Sequence, residues 1–268
     1  MKLGFIGCGN MGGAVMEGIL RSGKAKGEDV MIYTATESKM TEKCARLGVK
    51  AAKNNAQVAA ECDVVFLAVK PYIIQGVLEE VKDAWRGEGQ LVISVVSGWN
   101  IERLRGFIPE KVDILNTMPN TPCLVGEGVF AFNMDCGISK EQFAMAEDLL
   151  DALGTIVYIH ENQIEALSGV CGCGPAYLYM MIEAMADGGV AMGLPRDLAM
   201  KIAAQTAIGA GKMVLETGMH PGALKDAVCS PKGATILGVH ALEKGGLRAA
   251  AMDAVITSTE KMLAMAKE

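Results

Sequence analysis

Histidine is scarce here, with three in 268 residues. That leaves little room for a histidine-rich metal centre, and none is expected. The eight cysteines, at 8, 44, 62, 123, 136, 171, 173 and 229, contain no Cys-x-x-Cys pair, so the spacing of a structural zinc site or a dithiol motif is missing. Scattered in this way they read as small core thiols in a reducing compartment. Proline is sparse too, at eight residues beside 32 glycines, which is not the joint excess of a disordered chain. Nor is there a basic excess: 25 Lys and Arg against 31 Asp and Glu give a net charge of -6, which argues against a general nucleic-acid surface. Long uncharged runs are lacking. Residues 166–182 only just reach bilayer-spanning length and are broken by Gly169, Gly172, Gly174 and Pro175, so they read as a loop leading into a helix. The apolar start is punctured by glycines and interrupted by Glu17, so a cytoplasmic protein without export or membrane insertion is expected.

What the chain does have is apolar content, 51% of residues, enough for a large core in one or two domains. Strand candidates occur at 2–6, 29–33, 63–69, 91–96, 113–116, 128–132 and 155–160, with helices at 12–20, 39–47 and 139–153. The run Asp63-Val-Val-Phe-Leu-Ala-Val69 is apolar on consecutive residues, as a strand covered on both faces would be. Alternation of this kind predicts an α/β domain with a largely parallel sheet over residues 1–160. From residue 161 to 268 Ala, Met, Leu and Gly dominate helical windows at 175–192, 195–216, 221–228, 233–243 and 247–267. Pro175, Pro195 and Pro221 each fall where a first turn would begin, the place where a missing N–H costs least. The 195–216 helix has an apolar or small middle on nearly every face. Such a helix is buried on several sides, either at the centre of its own domain or, the preferred reading, between two interleaved subunits.

Gly7-Cys8-Gly9-Asn10-Met11-Gly12 is a G-x-G-x-x-G segment that follows the first strand and opens a helix, the context in which the motif binds a dinucleotide. Gly7 permits the tight turn, Gly9 lets the backbone approach a pyrophosphate, and Gly12 lets helix and strand pack closely. The first domain is therefore read as Rossmann-type. At the end of the second strand, where an NAD-binding carboxylate usually stands, the chain has Thr34 and Thr36, followed by Ser38 and Lys39. Hydroxyls and an ammonium suit a 2′-phosphate, so NADPH is expected to be preferred; Glu37 keeps NADH possible. Ala68-Val69-Lys70-Pro71 ends a central strand at the carboxyl edge, where open sheets place ligands, and Asn55 is a candidate on the adenine-ribose side. Asn120, within Met118-Pro119-Asn120-Thr121-Pro122, is a candidate for the nicotinamide floor.

With these segments in place, the chain resembles the pyrroline-5-carboxylate reductases. The resemblance rests on the fingerprint, on the LAVKP stretch ending at Pro71, on NTMPNTP from Asn116 to Pro122, on GCGPAY from Gly172 to Tyr177, and on HPGALKDAVCSPKGATI from His220 to Ile236. It implies an all-helical dimerisation domain after the dinucleotide domain, intertwined homodimers that often build further into rings such as decamers, and hydride transfer from NAD(P)H to the C=N bond of 1-pyrroline-5-carboxylate. It also implies that Ser230 and the N–H groups of Gly233 and Ala234 hold the substrate carboxylate, with Thr235 near the ring nitrogen in the catalytic role. Helix capping is the competing reading of Ser230 and Thr235. Two positions depart from the family pattern: Lys232, often glycine, which either points outward, the expected placement, or adds positive charge near the substrate carboxylate, with an effect on binding rather than reaction type; and Cys173, commonly serine and read as packing. Cys229, beside Ser230, is expected to confer thiol sensitivity at most. His220 is read as bracing the helix that Pro221 starts, while Tyr177, Glu183 and Asp226 are supporting candidates. The alternatives are a reductase of another cyclic imine carboxylate, a β-hydroxyacid enzyme, and a non-enzymatic cofactor-sensing protein. A β-hydroxyacid enzyme is disfavoured because residues 175–195 contain no lysine.

Overall fold

The computed structural model describes residues 1–265. They divide into two compact units: Met1–Gly172 with the end of the last helix from Thr259 onward, and Cys173–Ser258. The first unit is an eight-stranded sheet in the order β3-β2-β1-β4-β5-β6-β7-β8. Its strands are β1 Leu3–Ile6, β2 Val30–Tyr33, β3 Lys50–Ala51, β4 Val64–Leu67, β5 Leu91–Ser94, β6 Asp113–Pro119, β7 Gly128–Asn133 and β8 Gly154–Ile159. All pairings are parallel except β6 with β7. The helices are α1 Asn10–Ser22, α2 Glu37–Leu47, α3 Asn55–Glu61, α4 Ile74–Val81, α5 Ile101–Arg105, α6 Lys140–Leu150 and α7 Ile164–Leu167.

Strand alternation sends successive side chains to opposite faces, and each face here has its own core. Leu3, Phe5, Ile32 and Phe66 pack with Val15, Met16 and Ile19 of α1 and Leu149 of α6 on one side. Ile6, Val65, Leu67 and Ile114 pack with Val58 of α3, Leu78 of α4 and Leu104 of α5 on the other. Phe5 and Phe66, paired in register, stack with ring centroids 4.5 Å apart. The expected parallel α/β domain is therefore present, doubly covered.

Several local expectations are corrected. Helices α3, α4 and α5 and the two-residue β3 appear where none was expected. Residues 166–182 do lead into the expected helix, but not through a loop: α7 runs into a π-helical turn, Ser168–Gly172, and then into that helix. Gly169 and Gly172 fall within this wide turn, and Pro175 falls in the first helical turn, where it breaks nothing. Pro195 caps its helix rather than starting it.

The second unit is all-helical: α8 Gly174–Ala191, α9 Arg196–Thr217, α10 Pro221–Ala227, α11 Ala234–Lys244 and α12 Leu247–Met265, whose end belongs to the first unit. The expected extension of α12 to Lys267 lies outside the described residues. The buried core of this unit is Ala186, Ala199 and Ala203, joined by half-buried Ile182 and Val190. The reading of α9 as the centre of its own domain fails, because Leu198, Ile202, Ile208, Met213 and Leu215 are exposed. Among the described residues no helix is long and apolar enough to cross a membrane.

Candidate active site

β1 delivers the chain into the glycine turn, and that turn is tied to the neighbouring strand by Gly7 N–H donating to Tyr33 O at 2.9 Å. Gly7 sits at φ 89, and a Cβ on it would lie 2.7 Å from Ala68 O. Gly12 is as constrained: its Cβ would lie 2.6 Å from Gly7 O and 2.8 Å from Ala68 Cβ. These two glycines are demanded by the fold itself. Gly9 is different, since a Cβ there meets nothing within 4 Å. The fold leaves open the space that a phosphate approaching the backbone would fill.

Gly9 is also the N-cap of α1, with no side-chain capping bond and no acidic residue in the first turn. The first N–H groups and the positive end of the helix dipole are thus available to an anion. Cys8 turns its thiol inward, within 3.9 Å of Met16 Sδ, so only its backbone faces the turn. Burial pushes the thiols of Cys8, Cys62 and Cys123 up to about 11, which leaves them protonated and unreactive at neutral pH. Asn10 is exposed and Met11 half-buried at the same helix start.

The other cofactor candidates line the same carboxyl edge. Thr34 follows β2, Thr36 is the N-cap of α2 without a side-chain capping bond, and Ser38 and Lys39 are exposed in its first turn, after Glu37. Ala68 and Val69 leave β4 half-buried, and Lys70 is exposed, its carbonyl accepting from Ile73 N in the turn that holds Pro71. Two candidates are engaged elsewhere. Asn55 is buried, its amide donating to Glu80 Oε2 at 2.8 Å. Asn120 is buried as well: its Oδ1 accepts from Val129 N at 2.8 Å and its Nδ2 donates to Cys171 O at 3.0 Å. Asn120 therefore fastens the π-helical turn to the end of β6.

The second unit holds the remaining candidates in the loop between α10 and α11 and at the first two positions of α11, Ala234 and Thr235. Gly233 N donates to Ser230 O at 3.0 Å, and Gly233 is the N-cap of α11 without a side-chain cap. Neither the Ser230 nor the Thr235 hydroxyl caps that helix, so the capping reading is not what the loop shows. Ser230, Ala234 and Thr235 are exposed and Gly233 is half-buried. A Cβ on Gly233 would lie 2.3 Å from Ser230 Oγ, so this hydroxyl sits directly over the helix start.

Comparison with known proteins bears on both halves. Residues 161–265 match the family described as pyrroline-5-carboxylate reductase dimerisation, and residues 2–98 match that described as NADP oxidoreductase, coenzyme F420-dependent. The pyrroline-5-carboxylate reductase of Methanosarcina acetivorans is 39% identical over 267 residues, covering 100% of this chain and 98% of the relative. That of Escherichia coli is 40% identical over 266 residues, covering 99% and 98%. The chain belongs to the pyrroline-5-carboxylate reductase family. A solved family structure, the pyrroline carboxylate reductase of Plasmodium falciparum with NADP bound, superposes with a TM-score of 0.89 at 34% identity, covering 99% of this chain and 98% of that one.

Within this reductase framework the supporting candidates take structural roles. His220 Nδ1 accepts from Gly222 N at 3.0 Å as the N-cap of α10, the bracing role expected of it. The Tyr177 hydroxyl donates to Ser258 Oγ at 2.9 Å and thereby links α8 to α12. Asp226 pairs with Lys225, while Glu183 is exposed. Cys173, half-buried, immediately precedes α8. Sequence reasoning missed Lys43, whose ammonium lies 3.5 Å from Glu17 Oε1 and 3.0 Å from where a Cβ on Gly13 would stand. It missed a cavity of about 250 Å³ beyond β5 and β6, lined in part by Trp99, Arg103, Asn116, Glu161 and Glu165. Burial there holds the Glu161 carboxyl above its ordinary range. Among the described residues no cluster of His, Cys, Asp and Glu has the makeup of a metal site.

Proposed function

We propose that this protein reduces 1-pyrroline-5-carboxylate to L-proline, with NADPH preferred over NADH. The observation that carries the reading is the end-to-end match to reductases of that name, 39% identical over 267 residues, in a chain whose glycine turn keeps open space at Gly9. The reduced nicotinamide, when bound, supplies the hydride that adds to the C=N carbon. The chain's part is to bind, align and tune charge. Gly7, Gly9, Gly12 and the first N–H groups of α1 hold the pyrophosphate, and Ala68–Pro71 support the cofactor where it leaves the sheet. Thr34, Thr36, Ser38 and Lys39 receive the 2′-phosphate, which is the basis for the NADPH preference. Ser230 and the N–H groups of Gly233 and Ala234 take the substrate carboxylate. Thr235 orients the ring nitrogen and passes it the proton that balances the hydride. No metal is required in this scheme. The helical half forms the homodimer, a decamer is the proposed larger assembly, and the proposed location is the cytoplasm.

The test is to follow oxidation of NADPH and NADH separately with the purified protein and pyrroline-5-carboxylate, identifying the product. Proline formation, faster with NADPH, is the expected result; no turnover with either cofactor by folded, oligomeric protein would refute the assignment. Thr235→Ala is expected to lower the hydride-transfer rate by about 10²-fold or more, the size of a positioned proton donor's contribution, while leaving cofactor affinity nearly unchanged.

A further inference from the structure

Lys232 is the one non-glycine residue with a positive φ among the described residues, at φ 60. An L-residue in that region crowds its Cβ against backbone oxygen, so it persists only where the surroundings or a function hold it there. Gly233 N–H closes the turn onto Ser230 O at 3.0 Å, and a Cβ on Gly233 would displace the Ser230 hydroxyl, 2.3 Å away, and crowd Ser230 O at 3.1 Å. Residue 232, the third of this turn, lies in the left-handed region, for which glycine carries the least strain. The chain has lysine instead. Its side chain is exposed and, among the described residues, makes no hydrogen bond or ion pair. No acidic residue stands in the first turn of α11 to offset it, and Asp226 before the loop is paired with Lys225.

We propose that Lys232 is a substrate-capture residue, its ammonium attracting the carboxylate of the pyrroline substrate toward the Ser230–Thr235 loop. This rests on the reading of that loop given above. The strained backbone is the cost of carrying a cation at this position. Acting through solvent, the charge adds to binding and not to chemistry. Two unit charges about 6 Å apart in water change an equilibrium constant roughly three-fold, and salt screens the effect.

Steady-state proline formation by the full-length protein, at low and at high ionic strength, tests the proposal with Lys232→Gln, Lys232→Arg and Lys232→Gly. At low salt the KM for pyrroline-5-carboxylate is expected to rise about three-fold in K232Q and K232G and to stay at the wild-type value in K232R. The kcat and the KM for NADPH are expected to be unchanged, and the substrate difference to close at high salt. K232G is expected to melt no lower than wild type, which separates the lost charge from any lost stability. An unchanged substrate KM in K232Q at low salt, a rise that persists at high salt, or a rise confined to the NADPH KM would overturn the proposal while leaving the reaction itself intact. A wild-type protein that forms no proline removes both.

Discussion

The two units treat their apolar residues in opposite ways. In the first, Phe5, Phe66, Phe130 and Phe132 are almost wholly inaccessible, and a core lies on each face of the sheet. In the second, the buried apolar residues are three alanines, while Leu237 is 66% and Leu215 80% exposed within the chain. Hydropathy alone does not distinguish these halves. The difference lies in what covers them. A helix apolar on most faces is incomplete in water, and large apolar side chains left exposed in such number mark association. The first unit supplies its own cover, whereas the second, the half matched by the dimerisation family, obtains it from another copy.

The largest expected effect breaks the second half of that comparison. Ile208→Asp on α9, at a residue 52% exposed within the chain, is expected to abolish dimerisation. An unpaired charge buried at an interface costs about 3–5 kcal/mol, and a two-fold interface buries two copies. Sedimentation of the variant checks this, and assembly indistinguishable from wild type would remove the comparison's basis. Phe66→Ala strikes the other half. It is expected to destabilise the first unit by about 3–5 kcal/mol. Denaturant unfolding measures that loss, and the subunit count before unfolding should not change.

Two glycines sharpen the contrast between fold and ligand inside the first unit. Gly12→Ala, crowding Gly7 O, is expected to lose about 1–3 kcal/mol of stability. Gly9→Ala, whose methyl enters open space, is expected to melt as wild type and to weaken NADPH binding about ten-fold, near 1.4 kcal/mol. Melting curves beside cofactor titrations separate the two. The smallest effect belongs to Glu17, where the Arg46 guanidinium, with Lys43 assisting, holds the carboxyl below its ordinary range. A depressed carboxyl pKa contributes stability that is full above the ordinary value of 4.5 and is lost as pH falls through the folded value. Glu17→Gln is therefore expected to cost about 0.2–1 kcal/mol at pH 7, with the gap to wild type closing as the pH is lowered below 4.5 in urea unfolding.

The sheet strands and long helices were legible because each carries its own signal: consecutive apolar residues for strands covered on both faces, and a proline near the start of α8, α9 and α10. Short helices were not, because five to eight residues give too few turns for a period to show. Their caps were the available signal. Asn54 Oδ1 accepts from Gln57 N and Asn100 Oδ1 from Arg103 N, both at 2.9 Å, at the starts of α3 and α5. At the site, the glycine motif was readable because its requirements are local. The bonds of Asn120 to Val129 and Cys171 were not, since the second joins residues 51 apart. Lys232 was visible as a departure, yet its left-handed backbone emerges only from the turn that Ser230 and Gly233 make around it.

Active-enzyme sedimentation tests the central claim most directly, because it measures the size of the species that turns over. A thin band of protein moves through NADPH and pyrroline-5-carboxylate while absorbance loss traces the reaction. The reacting boundary is expected to sediment as a dimer or larger, with none at the rate of the 28.2 kDa chain. Turnover travelling at the single-chain rate would contradict the claim.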